Sequence, residues 1–170
     1  QIGQNPGFFG VLPARKVDLS GRIALHFGKG NVTAGPGDIM DLFRGAELSR
    51  GGMTIFGLPS RNQNHQPNIL LSVEDFPNQF SIREMVDMVI TEYGVASLSG
   101  RTVRERAQAL IEIAHPDDRL NLVNQAKKKK ILYPDQIFLA ESAHLYPAEI
   151  NFQHTFKGGI KVRFRAIKPS

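Results

Sequence analysis

Cysteine is absent from the 170-residue chain, and its absence excludes disulfide bonds and thiolate metal sites. Long apolar runs are also missing, because no stretch approaches the length needed to span a bilayer. The amino-terminal residues lack the pattern of a secretory signal peptide, and the chain resembles an excised piece of a longer protein. These absences are compatible with a cytoplasmic protein without a membrane partner, which is the location we expect. The length of 170 residues supports one domain with a sizeable core.

Metal-ligand patterns are absent as well. Histidine stands at five positions, but no two of them have the i, i+4 spacing that places a pair of zinc ligands on one helix face. His115 comes just before Pro116, and we interpret it as stabilising the carbonyl end of the preceding helix rather than as an acid–base group. No metal site is therefore predicted.

The formal net charge of +5 raises the question of nucleic-acid binding. Part of the excess lies in the run Lys127–Lys130, which has no interleaved aromatic residues for base stacking. A solvated helix end accounts better for this run, and a basic surface would equally suit a phosphorylated ligand. No nucleic-acid partner is predicted.

The best-specified stretch of the chain runs from Met88 to Leu122. The β-branched run Val89–Thr91 predicts a buried strand, and the turn at Tyr93-Gly94 leads into a second strand. Two helices are predicted to follow this hairpin, so the stretch forms a β-turn-β-α-α unit.

Both predicted helices have clear start signals. The segment Thr102–Glu105 has the spacing of a capping box, in which the two end residues satisfy each other's backbone N–H groups. Pro116 suits the first turn of the second helix, whose ends are complemented by Asp117-Asp118 and by Lys127–Lys130. Five apolar residues are expected on the buried face of the first helix: Val103, Ala107, Leu110, Ile111 and Ala114.

A glycine-rich segment, residues 28–38, precedes another predicted helix with Asp38 as its N-cap. Glycine allows close backbone approach, and a helix start offers amides and a partial positive charge. By itself the pattern favours a plain turn over an anion-binding site. It lacks the Gly-Lys-Ser/Thr ending of a P-loop.

The order TEYGVASLSGRTVRERAQALIEIAHPDDRLNL, residues 91–122, closely resembles the C-terminal domain of the acetyl-CoA hydrolase/CoA-transferase family. That family includes acetate and 4-hydroxybutyrate CoA-transferases. The resemblance implies an α/β fold with a mixed sheet flanked by helices, of the NagB/RpiA/CoA-transferase type. We accordingly predict this domain over residues 1–150 and an edge strand or linker over residues 151–170.

The resemblance gives the glycine-rich segment a role. Gly35-Pro36-Gly37-Asp38 matches a family segment whose backbone amide polarises the thioester carbonyl. Pro36 has no N–H, so Gly37 is the expected donor and Gly35 makes room. The resemblance also implies that coenzyme A or acetyl-CoA is bound near Gly35, Gly37, Asp38 and Asn68. Asn68 stands where the family commonly has arginine, which implies altered or lost binding at that point.

Glu92 is the acidic residue expected at the site. It follows a predicted buried strand at a turn, where α/β proteins place functional groups. In the family the equivalent glutamate faces the reacting thioester, so the resemblance gives Glu92 a catalytic role. The alternative is a salt bridge or a turn-capping carboxylate, and both interpretations stay open.

Transferases of this family use a further glutamate, which attacks the acyl-CoA and forms an anhydride and then a glutamyl-CoA thioester. No acidic residue here stands in that motif, so the chain alone is expected to be inactive. The resemblance implies an enzyme once this half is joined to an N-terminal half of the same protein. Its substrates would be an acyl-CoA and a short carboxylic acid, in CoA transfer or thioester hydrolysis. An apolar face left open by loss of that half could pair two copies into a homodimer.

A second function of a different class stays open. The chain could be a CoA-binding regulatory domain without turnover, fused to a GNAT-type N-acetyltransferase. The segment GGIKVRFRAIKPS, residues 158–170, resembles the junction to such a domain. A nucleophilic glutamate upstream would favour the enzyme, and its absence from the full gene product would favour the regulatory domain.

Overall fold

A four-stranded sheet with helices packed on one face forms the centre of the fold. The computed structural model describes residues 6–25, 37–76, 79–80, 85–136, 152–155 and 161–164. Along the chain the elements are β1 (Phe9–Pro13), β2 (Lys16–Asp18), β3 (Ile23–Ala24), α1 (Gly37–Leu48), β4 (Met53–Gly57), β5 (Ile69–Leu70), β6 (Gln79–Phe80), β7 (Met88–Thr91), β8 (Gly94–Ser97), α2 (Val103–Glu112), α3 (Pro116–Lys128), β9 (Phe152–Thr155) and β10 (Lys161–Phe164).

The main sheet has the strand order β1-β4-β7-β8. β1, β4 and β7 run parallel, with Val11 beside Ile55 and Ile55 beside Met88. β8 returns antiparallel to β7 through the turn at Tyr93-Gly94. Gly94 has a φ of 146° there, a conformation that favours glycine. The predicted hairpin and the mixed sheet are both confirmed.

A second sheet has the strand order β5-β2-β3-β6. Its central strands β2 and β3 follow β1 in the chain, and its outer strands β5 and β6 follow β4. Its tight turn is organised by the fully buried carboxylate of Asp18. That carboxylate accepts hydrogen bonds from the backbone and side chains of Ser20 and Arg22, and from the backbone of Val73. Gly21 in this turn has a φ of 90° and lies against Leu98, so the position favours glycine.

The core lies between the main sheet and its helices and includes buried residues of the second sheet, such as Val17, Ile23 and Ile69. Phe43 of α1 packs against Phe56 of β4 with ring centroids 5.9 Å apart. The prediction for the apolar face of α2 is correct except at Val103, which is 42% exposed. Val103 is the first residue of the helix, one turn ahead of the first α2 residue that enters the core. The buried residues of this face are Ala107, Leu110, Ile111 and, just after the helix, Ala114.

Helix starts agree with the sequence at α2 and differ elsewhere. The predicted capping box is confirmed, with Thr102 and Glu105 each bonded to the backbone N–H of the other. His115 is the N-cap of α3, and its Nδ1 accepts a hydrogen bond from the backbone N–H of Asp117. The predicted role of His115 at the end of α2 is therefore wrong, because the residue starts the next helix. α1 begins at Gly37, so Asp38 lies inside the first turn and not at the predicted N-cap.

The structure differs from the sequence patterns in the length of one strand and in the number of strands near the end of the chain. The apolar run Ile69–Val73 predicts one strand, but β5 ends at Leu70 because the Val73 backbone turns to Asp18. The predicted edge strand or linker of residues 151–170 contains two antiparallel strands, β9 and β10. Among the described residues, no helix is long and apolar enough to cross a bilayer.

Candidate functional site

Glu92 lies at the carboxyl end of β7, and its carboxylate is held by Ser60. The backbone N–H of Ser60 donates to Oε2 of Glu92 at 2.8 Å, and the Ser60 hydroxyl donates to Oε1 at 2.5 Å. Ser60 is 1% exposed, whereas Glu92 is exposed. Glu92 therefore has a structural contact of the general kind that the alternative interpretation expects, made with a serine of another loop. The contact of Glu92 with a substrate stays a prediction.

Arg61, the next residue, fastens the same loop to the start of α3. Its guanidinium makes a bidentate pair with Asp118, at 2.8 Å from Nε to Oδ2 and 2.7 Å from Nη2 to Oδ1. Asp117 lies 3.5 Å from Nη1. The hydrogen bond to Asp118 is the main reason that the pKa of Arg61 lies above its ordinary value. The loop is therefore held at two adjacent residues by two different elements.

Asn68 closes the base of this loop, which we define as residues 58–68. Its backbone N–H donates to the carbonyl of Ser60 at 2.8 Å, and its Nδ2 donates to the carbonyl of Pro59 at 2.8 Å. Asn68 is 3% exposed, and its Oδ1 has no hydrogen-bond partner among the described residues. Asn68 therefore supports the backbone of the loop that carries Ser60, and its predicted contact with coenzyme A stays a prediction.

A buried lysine supports the loop base from β2. Nζ of Lys16 donates to the carbonyl of Pro67 at 2.6 Å and lies 5.9 Å from the centroid of the Phe76 ring. Burial, with a smaller effect from the charge of Arg15, lowers the pKa of Lys16 below its ordinary value. The ammonium group of Lys16 is thus hydrogen-bonded inside the fold, and the residue is only 6% exposed to solvent.

Thr91 fixes the turn that carries Glu92. Its hydroxyl donates to the carbonyl of Ile113, at the end of α2, at 2.6 Å. The same oxygen accepts a hydrogen bond from the backbone N–H of Tyr93 at 3.1 Å. Thr91 is buried, so Glu92 projects from a turn whose backbone is anchored on the helix layer.

The start of α1 is directed to the same edge of the sheet as Glu92. Ser49, just after the end of α1, accepts a hydrogen bond from the Phe8 N–H at the beginning of β1. Phe43 packs against Phe56, near the end of β4. Gly37 stands six residues before Phe43, about 9 Å further along the helix axis at the usual rise per residue. The helix therefore runs antiparallel to β4 and begins near the carboxyl ends of the parallel strands.

The structure thus brings most of the sequence-predicted residues to one edge. Gly37 and Asp38 lie in the first turn of α1, Glu92 follows β7, and Asn68 ends the loop that follows β4. Gly35 lies outside the described residues. Within the described part of the chain, no group of three or more His, Asp or Glu side chains is placed to hold a metal ion.

Sequence reasoning did not connect Ser60 and Arg61 with the candidate site, and it placed Asp118 only at the start of a helix. Ser60 and Arg61 lie within the polar stretch after β4, where their pattern is that of an ordinary loop. One signal in the sequence could have identified these loop residues. β4 and β7 are adjacent parallel strands, so the loop that follows β4 lies at the same sheet edge as Glu92, which follows β7. The partner of each residue lies more than 30 positions away in the chain.

Comparison with known proteins identifies the family to which the chain belongs. A sequence model of the Acetyl-CoA hydrolase/transferase C-terminal domain matches residues 1–126. The chain belongs to this family. Its resemblance at residues 91–122 is therefore confirmed, and the match extends through the two sheets and the loop of residues 58–68.

Two curated relatives carry transferase names. The chain is 37% identical over 129 residues to the 4-hydroxybutyrate coenzyme A transferase of Clostridium kluyveri, covering 75% of this chain and 30% of that protein. It is 34% identical over 136 residues to the butyryl-CoA:acetate CoA-transferase of Anaerostipes caccae, with 77% and 30% covered. The chain therefore spans about a third of the length of these family members.

Solved structures confirm the CoA-transferase type of fold. RipA from Yersinia pestis is 30% identical with a TM-score of 0.66, covering 77% of this chain and 28% of that one. The 4-hydroxybutyrate CoA-transferase from Porphyromonas gingivalis is 32% identical with a TM-score of 0.58, covering 75% and 28%.

Proposed function

We propose that this chain binds a coenzyme A thioester at the carboxyl edge of its parallel strands. In the intact protein it serves CoA transfer between carboxylic acids, or thioester hydrolysis. The observation that carries the proposal is the shared edge of Gly37 and Glu92, in a chain whose curated relatives are CoA-transferases. Open α/β sheets bind their ligands at this edge.

The start of α1 suits the carbonyl of a thioester. The amides of a first helical turn have no partner within the helix, and they carry a partial positive charge. A donor placed where negative charge develops on the carbonyl oxygen contributes a few kcal/mol to catalysis, typically about 3. We assign this role to the N–H of Gly37, with Gly35 allowing close approach.

Glu92 supplies a fixed negative charge at the same edge. Because Ser60 binds both of its oxygens, the carboxylate cannot rotate freely toward a substrate. This restriction suits a group that orients the reacting thioester better than one that attacks it. The attacking glutamate of the family reaction is expected from the part of the family fold that this chain does not span. The substrates would then be an acyl-CoA and a short carboxylic acid, with no metal.

Calorimetric titration with acetyl-CoA and with free CoA tests the proposal. Gly37→Pro removes the N–H at a position in the first turn of a helix, where proline is tolerated. Gly37→Ala keeps the N–H and is the matched control. We expect saturable acetyl-CoA binding that Gly37→Pro weakens by about tenfold, the equivalent of one hydrogen bond. Gly37→Ala should bind like the unaltered chain.

The same titration on the full-length gene product, followed by a transferase assay, separates the remaining outcomes. Binding with turnover supports the enzyme. Binding without turnover would identify the regulatory domain instead. No saturable binding to either protein at millimolar acetyl-CoA would refute the proposal.

A further inference from the structure

The main sheet has two unlike faces. Residues that are paired across its strands point to the same side, and Phe56, Val89 and Ala96 face the helices. These three side chains are at most 1% exposed. The alternate residues point to the opposite side, which we call the open face. It is defined by Val11, Met53, Ile55, Ile90 and Val95.

The open face is apolar but incompletely covered. Val11 of β1 is 67% exposed, and the other four residues of the face are half-buried. Met88, between Ile55 and Ser97, is the buried member of this side. None of the paired strand residues on this side carries a charge. Parallel strands with apolar residues on both sides occur in sheets that are covered on both faces.

We propose that the open face is the docking surface for the part of the family fold that this chain does not span. In the curated relatives the matched region is about a third of the protein. The matching family describes it as a C-terminal domain, so the remaining two thirds precede it there. That portion is more than large enough to cover one side of a four-stranded sheet.

The chemistry of the face agrees with this occupant. A surface of valine, isoleucine and methionine without charges resembles a domain core cut in half, which is typical of permanent interfaces. Nucleic acid or an acidic ligand would need cations that the face does not offer. The face also lies on the sheet side opposite α1, so covering it leaves the first turn of α1 accessible. The inference rests on the fold and the family, and it does not depend on the proposed catalysis.

Thiol labelling tests the proposal directly, because the chain contains no cysteine. Val11→Cys places a thiol on the open face, and Leu120→Cys places one on α3 at a residue 72% exposed. Both variants are reacted with a maleimide in the 170-residue chain and in the full-length gene product. Peptide mass spectrometry then follows the labelled position in each protein.

We expect both thiols to react rapidly in the 170-residue chain. In the full-length protein, labelling at Val11→Cys should slow by about tenfold or more, because the site then reacts only through local opening. Labelling at Leu120→Cys should change little. Hydrogen exchange of the β1 amides in the unaltered proteins gives the same comparison without a substitution.

Two results would overturn the proposal. Equal labelling of Val11→Cys in both proteins, with equal exchange in β1, would show that the face stays open. Slow labelling in the 170-residue chain that becomes fast on dilution would show that a second copy occupies the face instead.

Discussion

The hydroxyl of Ser60 lies 2.5 Å from Oε1 of Glu92, although 32 positions separate the two residues in the chain. Ser60 follows β4 and Glu92 follows β7, so the bond joins the carboxyl ends of two neighbouring strands. The Ser60 backbone N–H binds the other carboxylate oxygen. The position of Glu92 is therefore determined by the loop of residues 58–68 as well as by its own turn.

Ser60→Ala should lower the free energy of unfolding by about 1–2 kcal/mol, because it removes a hydrogen bond from a buried hydroxyl to a charged acceptor. Chemical denaturation measures the change. Ser99→Ala, at an exposed serine after β8, is the matched control and should stay within about 0.5 kcal/mol. In a double-mutant cycle with Glu92→Gln, strict additivity would contradict a direct energetic coupling of the pair.

Arg61→Lys should loosen the loop of residues 58–68. Lysine keeps the positive charge but cannot reproduce the two parallel hydrogen bonds to Asp118. We expect faster hydrogen exchange at the backbone amides of Asn62 and Gln66, with the helix interiors unchanged. Arg50→Lys, at an exposed arginine after α1, controls for the substitution itself. Unchanged exchange in the loop would show that its other contacts hold it without the pair of Arg61 and Asp118.

Thr91→Val should destabilise the fold by about 1–3 kcal/mol at nearly constant volume. It removes the hydroxyl that bonds the Ile113 carbonyl and the Tyr93 N–H, leaving both backbone groups without this partner. Thr91→Ser keeps the hydroxyl and should lose less. Urea denaturation of the two variants gives the comparison, and a smaller loss for valine than for serine would exclude the hydroxyl as the cause.

The unit from Met88 to Leu122 was predictable because its signals are local. A β-branched run, a turn glycine, a capping box and a helix-starting proline each act over a few residues. Each of the two strands and two helices is present in the structure. His115 was misassigned because a residue between two helices can serve the end of one or the start of the next.

The first strand and the contacts of the candidate site were not predictable in this way. β1 is a strand because Phe9–Pro13 pairs with Met53–Gly57, more than 40 positions later. At Gly10 an added Cβ would lie 2.6 Å from Cδ2 of Leu42 in α1, so a larger residue would require that side chain to shift. The partnership of Ser60 with Glu92 likewise depends on the strand order. Short-range patterns carry no information about such contacts, whereas the resemblance to the family singled out Glu92 and Gly37 as candidate site residues.

The capping box makes the stability of α2 depend on pH. Hydrogen bonds from the backbone and hydroxyl of Thr102 hold the pKa of Glu105 below its ordinary value of 4.5, with a smaller effect from Arg101. A carboxylate with a lowered folded-state pKa stabilises the fold above its unfolded-state pKa. That contribution is lost as the pH falls through the folded-state pKa. The stability of the unaltered chain should therefore fall more steeply than that of Glu105→Gln from about pH 5 to about pH 3. Urea denaturation across this range measures both slopes. Parallel slopes would mean that the Glu105 carboxylate has the same pKa in the folded and unfolded chain, so that its charge adds nothing to the capping box.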